Sequence, residues 1–385
     1  MSTEPVAAPV VEPVETPTPF ARRPNAVGSP PQHYGNPLGE QRALAAGTAI
    51  VDLSDRAVIT VTGPDRLTWL DSLTSQSLAG LAAGASAETL LLDPTGRLEH
   101  AIRVIDDGVT AWLLVDGAEG APLAAWLDRM RFMLRVEVAD RSADYATFGT
   151  LAAPVAEALR AVAATPNGIP LIWRDPWLDV APGGHQYAHP AQHPAAGWTY
   201  AEVLVDRADA AAAASLADSP AAGTLALEAL RIAAWRPRLS TEADEKTIPH
   251  ELDWLRSAVH LNKGCYRGQE TVAKVHNLGH PPRRLVMLHL DGSEGVLPGP
   301  GDSVLLPSAD DSAPTEVGRI TSAAIHHELG PIALAVIKRN VDPAADLVVA
   351  ADGAQVAAAQ EVIVPTDAGA EANVPRLPRL GAVRR

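Results

Sequence analysis

The stretch with the clearest capacity for chemistry is Asn262-Lys263-Gly264-Cys265-Tyr266-Arg267-Gly268-Gln269-Glu270, which holds the only cysteine in a chain of 385 residues. A thiol acts as a nucleophile or ligand through its thiolate, and nearby cations favour that charged form. Lys263 and Arg267 stand two residues to either side of the sulfur. Gly264 and Gly268 let the backbone turn sharply or approach a ligand closely. Tyr266 supplies a flat face and a hydroxyl, and Gln269 and Glu270 add hydrogen-bonding groups. The composition describes a tight polar loop with an activatable thiol. An inert cysteine packed beside a turn is the competing reading.

Other candidates are weaker. His185, His189 and His193 are four apart, the spacing of ligands on a helix face. Pro182, Gly183, Gly184, Pro190 and Pro194 forbid a regular helix there, so a solvated loop is expected and no metal site is assigned. His326-His327 falls in a strand or hairpin, where neighbours point to opposite faces. His276 and His280, just past the cysteine loop, suit either a ligand contact or turn formation before Pro281-Pro282. No phosphate-cradling glycine loop and no serine-hydrolase elbow occurs. Arg231 lies on a helix approaching the motif; a core-edge arginine and a contact to a ligand carboxylate are both open to it.

The elements that must position these residues follow from periodicity. Residues 1–33 are a proline-rich stretch expected to form a disordered tail. Ordered structure is expected from about Tyr34, in two α+β lobes at roughly 34–143 and 144–280. Leu98, His100, Ile102 and Val104 alternate with Arg97, Glu99, Ala101 and Arg103, the period of a half-buried strand. Short strands with turn signals from 281 to 366 predict a small C-terminal β-barrel, and 367–385 a frayed end. Interleaved helices and hairpins indicate an α+β class.

A net charge of −15 argues against a nucleic-acid binder. A single cysteine excludes an internal disulfide or an all-cysteine metal site within one chain. No apolar run approaches the length needed to cross a bilayer, and no signal peptide is visible, so a cytoplasmic protein without membrane contact is expected.

Lys263-Gly264-Cys265-Tyr266-x-Gly268-Gln269-Glu270, running into Thr271-Val272-Ala273-Lys274, resembles the signature of the YgfZ family of folate-binding proteins. That family is related to the T-protein of the glycine cleavage system, a tetrahydrofolate-dependent aminomethyltransferase. The similarity extends from about His33 to the C-terminal strands. It implies a two-lobed aminomethyltransferase-like domain followed by a barrel, around a central folate channel with Cys265 at its lip. It also implies tetrahydrofolate or a derivative as cofactor, and a role supporting assembly or repair of iron–sulfur clusters in client enzymes, including tRNA-modifying ones.

On this reading Cys265 and Lys263 carry the chemistry, and Tyr266, Gly268, Gln269, Glu270, Arg231 and His100 serve the cofactor. Trp173, Trp198 and Trp235 are candidates for the channel wall. The aminomethyltransferases carry a catalytic aspartate on the strand after the Gly96 turn. Its place here falls on His100 or Ala101, with Glu99 expected on the other side of the strand. Ala233 stands where they carry a pterin-binding glutamate, and Cys265 replaces the aspartate of their Lys-Gly-Asp loop. A folate-dependent one-carbon transferase is the alternative function, and the missing carboxylate speaks against it.

Overall fold

The computed structural model describes residues 18–372 apart from positions 152, 190–192, 210–211, 213–214, 217–218, 294 and 309–312. Three sheets organise the chain. The first has the order β3-β4-β5-β2-β6 and is antiparallel throughout. Its strands are β2 (Ala57–Thr62), β3 (Ser86–Leu92), β4 (Leu98–Asp106), β5 (Thr110–Val115) and β6 (Glu137–Asp140). Helices α2 (Arg66–Leu73) and α3 (Gly117–Met130) cover one face. Ile102 and Val104 of β4 pack there with Trp69, Leu70, Leu123 and Leu127. The alternating pattern of β4 thus buries one side in the lobe and frees the other for the centre of the molecule.

The second sheet, β10-β1-β7-β9-β8, pairs β1 (Ile50–Asp52) with β7 (Tyr145–Leu151) and, in parallel, with β10 (Ala221–Ala222). Strand β9 (Tyr200–Asp206) lies between β7 and β8 (Ile172–Arg174). Helix α1 (Pro37–Ala45) and helix α5 (Thr224–Ala233) flank this lobe; between them in the chain runs α4 (Ala153–Ala161). The third sheet closes on itself as a six-stranded barrel in the order β11 (Arg283–Leu290), β14 (Gly330–Lys338), β13 (Thr315–His326), β12 (Ser303–Leu306), β15 (Leu347–Ala351) and β16 (Ala354–Val362). The α+β class and the closing small barrel are those expected from the sequence.

Residues 236–258 read as irregular and polar, and they are irregular. They are also core: short helices α6 (Leu239–Glu242) and α7 (Leu255–Ala258) leave Leu252, Trp254 and Leu255 essentially without solvent exposure.

Two terminal expectations are corrected. The expected tail at 1–33 is folded over 18–33; residues 1–17 lie outside the described residues. Phe20 is fully buried, its ring centroid 5.4 Å from that of Phe148 and capped by the Arg23 guanidinium 4.2 Å away. The carbonyls of Pro31 and Gln32 accept from the backbone of Thr224 and Leu225 at the start of α5. One aromatic anchor outweighs a proline-rich composition, because its burial alone is worth a few kcal/mol. At the other end, Ala368 is buried, and Ala370, Glu371 and Ala372 donate to the carbonyls of Val275, His276 and Asn277. Residues 373–385 of the expected frayed end lie outside the described residues.

Candidate functional site

The cysteine loop is held by its cations, and they are turned away from the expected task. Lys263 Nζ donates to the carbonyls of Asp71, Thr74 and Gln76, the last two at 2.8 Å, and lies 3.4 Å from the Asp71 carboxylate. An ammonium among the carbonyls that end α2 satisfies orphan acceptors and opposes the negative end of the helix dipole. Burial pulls its pKa down, and Asp71 works against that shift. Arg267 forms a two-pronged ion pair with Glu99, and its guanidinium lies 5.5 Å from the Trp126 ring centroid. The expectation that one of these cations activates the sulfur is therefore corrected: carbonyl clusters and a carboxylate are the stronger partners. Cys265 itself is exposed.

Tyr266 and Gly268, after the sulfur, are held by packing. Tyr266 is buried in the core formed with Leu90, Leu92 and Trp254, and burial pushes its hydroxyl pKa up. Gly268 takes φ +83° as the N-cap of α8 (Gln269–Leu278). A Cβ there would sit 2.6 Å from the Asp93 carbonyl oxygen and 3.0 Å from the Gly96 Cα, so two glycines let α8 start against the β3–β4 turn. Gln269 and Glu270 occupy the first turn of α8, with Glu270 exposed.

The centre of the molecule holds a cavity of about 330 Å³. Its wall combines β4, the start of α3, β9, α5 and the 236–239 segment, so both lobes contribute. Arg236 lies on one side, donating to Glu88 at 2.6 Å and to Asp175 at 2.9 Å. Arg56 and Arg103 share the fully buried Glu202, and Arg56 also pairs with Asp116. Burial alone would raise the Asp116 pKa; Arg56, Arg238 and Arg103 hold it far below the usual carboxylate range. Glu202 is likewise held down by Arg103 and Arg56 against burial. Trp198, Tyr200 and Trp254 supply aromatic surface. Two buried polar atoms of the wall, Arg56 Nε and Trp254 Nε1, have no hydrogen-bond partner. Each such atom costs about 1–3 kcal/mol unless a ligand or water meets it.

Of the two places for the aminomethyltransferase aspartate, Ala101 is the one in the cavity wall. His100 turns to α3 and meets Glu119, with Nδ1 3.2 Å from the carboxylate. The β3–β4 register shifts at Glu99, since Leu91 pairs with His100 and Leu92 with Leu98, and the Glu99 carboxylate is occupied by Arg267. Of the residues expected to serve a cofactor, Arg231 lines this cavity; Tyr266, Gly268, Gln269, Glu270 and His100 are not in its wall. Arg231 is itself engaged by Glu228, by Glu242 at 2.8 Å, by Ser322 at 2.7 Å and by the Arg236 carbonyl. Among the candidate tryptophans Trp198 is in the wall, whereas Trp173 and Trp235 are not. Glu99, which Arg267 of the cysteine loop holds, and Ala101 of the cavity wall are two residues apart on β4.

Sequence reasoning missed Arg56, Arg103, Arg236, Arg238 and Trp254. The run Trp235-Arg236-Pro237-Arg238, charged and aromatic residues around a helix-stopping proline, is the local signal that could have pointed to them. His185, Tyr187 and His276, from the expected solvated loop and the turn after the motif, instead pack together. The Tyr187 hydroxyl lies 3.1 Å from His276 Nδ1, and the two histidine rings are 4.7 Å apart. His326 and His327 also meet, ring centroids 4.5 Å apart and planes tilted by 42°, where strand β13 ends at His326.

This is the fold of an aminomethyltransferase. The chain is similar to the glycine cleavage system aminomethyltransferase T from Bartonella henselae, with a TM-score of 0.69 and 16% identity over 90% of this chain and 96% of that one. A chain of the heterotetrameric sarcosine oxidase from Corynebacterium sp. U-96 also matches, with a TM-score of 0.28 and 15% identity over 47% of this chain and 90% of that one. No protein-family model and no curated protein matches the sequence. No helix among the described residues is long and apolar enough to cross a membrane.

Proposed function

We propose that this chain is a folate-binding accessory protein of the YgfZ kind. On this reading it binds tetrahydrofolate or a derivative in the central cavity and supports iron–sulfur enzymes, with Cys265 as its functional thiol. The observation that carries the reading is Ala101: the cavity lacks a carboxylate where the aminomethyltransferases carry theirs, while a thiol stands exposed on the neighbouring loop. The same observation disfavours a one-carbon transferase.

The residues of the cavity suit a pterin, whose edge offers donors and acceptors together. Trp254 Nε1 and Arg56 Nε are open donors, and Trp198 and Tyr200 offer faces for stacking. The volume is at the lower end of the range for small-molecule sites, about 300–1,000 Å³, which fits a ring system better than a whole folate. When bound, a reduced folate supplies one-carbon carrying chemistry; the chain supplies binding, orientation and a dry, charged surround. A lone thiol with no internal partner fits a reducing cytoplasm.

Ligand at a hundred times its dissociation constant stabilises a fold by about 2.7 kcal/mol. Tetrahydrofolate should therefore raise the melting temperature and quench tryptophan fluorescence through Trp198 and Trp254. No response up to millimolar ligand overturns the folate reading. Cys265→Ser should bind folate normally yet fail to restore iron–sulfur enzyme activity in cells lacking the protein; full restoration removes the thiol from the function.

A further inference from the structure

The loop joining α3 to β6 reads Arg131-Phe132-Met133-Leu134-Arg135, and all five residues are exposed. Phe132 is 78% exposed, Met133 98% and Leu134 42%. Three consecutive large apolar side chains held in water are the reverse of what folding favours, and mark an interaction site. Phe132 also adopts φ +43°, a left-handed conformation that an aromatic residue rarely takes. The backbone thus carries strain while it presents the tip. Arg129, Arg131 and Arg135 surround the tip. Arg131 and Arg135 pair with Asp128 and Asp65 at the surface, where such pairs are worth little and exchange readily.

A complementary surface lies on the same chain. A cavity of about 860 Å³ opens between the two lobes, with Phe148 and Val205 in its apolar wall. The exposed carboxylates Asp55, Asp140 and Asp206 line it too. Of the cations there, Arg56 is taken by Asp116 and Glu202, and Arg207 by the carbonyls of Tyr145 and Ser54. That leaves Arg22 against three aspartates. An apolar tip ringed by arginines meets an apolar socket lined by carboxylates.

We propose that the chain self-associates head to tail, the Phe132–Leu134 tip of one copy seated in this cavity of the next. Tip-to-tip pairing would bring arginines against arginines, which costs several kcal/mol, so the contact joins unlike surfaces and grows as a ring or an open chain. The net charge of −15 opposes assembly at long range, but physiological salt screens charges beyond about 8 Å and leaves the local match in force.

Sedimentation velocity on the full chain from about 1 to 100 μM should show a mass that rises above the monomer with concentration. A tip variant, Phe132→Asp with Met133→Asp, and a socket variant, Asp140→Arg with Asp206→Arg, should each weaken association at least tenfold. Mixed in equal amounts they should form a capped one-to-one dimer, since each retains one intact half. A wild type monomeric throughout, either variant associating as the wild type does, or a mixture that stays monomeric overturns the proposal. So does a monomeric wild type that sediments with phosphatidylglycerol vesicles through its tip, which would assign the tip to a lipid surface.

Discussion

At the scale of single residues, two charged groups behave differently from what their neighbours in sequence suggest. Lys263 is an anchor: its three carbonyl partners tie the cysteine loop to the end of α2. Lys263→Met should lower stability by about 2 kcal/mol, the scale of charge-assisted hydrogen bonds, as read from the denaturant midpoint. An unchanged midpoint refutes the anchor. Asp253 is fully buried, accepts from the backbone of Tyr187 and Ala188, and burial raises its pKa to about 7. A carboxyl whose folded pKa exceeds its unfolded one binds its proton more tightly when folded. Its stabilising contribution is complete below about pH 4 and is lost as pH rises towards 7, by about 1.4 kcal/mol per unit. Asp253→Asn should remove that loss, so the stability difference between variant and wild type should move in the variant's favour from pH 4 to 7. A pH-independent difference would show that Asp253 does not titrate there.

At the scale of elements, close backbone approaches and single anchors decide the geometry. Gly268 lets α8 begin against the Gly96 turn at a positive φ. Gly268→Ala should cost more than the roughly 1–2 kcal/mol of left-handed strain alone, because its Cβ meets backbone atoms that cannot swing aside. Chemical denaturation measures this, and a cost under 1 kcal/mol would mean the turn yields. Phe20 pins the N-terminal segment to the second sheet. Phe20→Ala should destabilise by about 3–5 kcal/mol, as for other buried aromatics, where a disordered tail would give no change. The tail expectation failed for a physical reason: composition averages over a segment, whereas burial is decided one side chain at a time.

For the whole molecule, buried arginines join the parts. Arg231 on α5 reaches Glu242 and Ser322, the latter on barrel strand β13 (Thr315–His326), and Arg236 bridges Glu88 of the first lobe to Asp175 of the second. Removing one partner of a buried pair leaves an uncompensated charge and costs about 3–5 kcal/mol. Arg231→Ala should lower the melting temperature and split the barrel from the lobes in calorimetry. A single transition at the wild-type temperature would show that apolar packing alone couples them.

The α+β class, the alternation of β4 from His100 to Val104, the closing barrel and the distinctive cysteine loop were all legible in the sequence. Each rests on local periodicity or on a short motif whose residues are neighbours in the chain. What the cations of that loop do was decided only by tertiary structure. Lys263 and Arg267 are two residues from Cys265 in sequence, yet their partners Asp71 and Glu99 are brought in from 192 and 168 residues away. The cavity was equally hidden, because Arg56, Ala101, Arg236 and Trp254 share no spacing. Local pattern reports which face of an element is apolar; only long-range packing reports which charges meet across the interior. In that interior, with water excluded, the strongest available partner wins rather than the nearest in sequence.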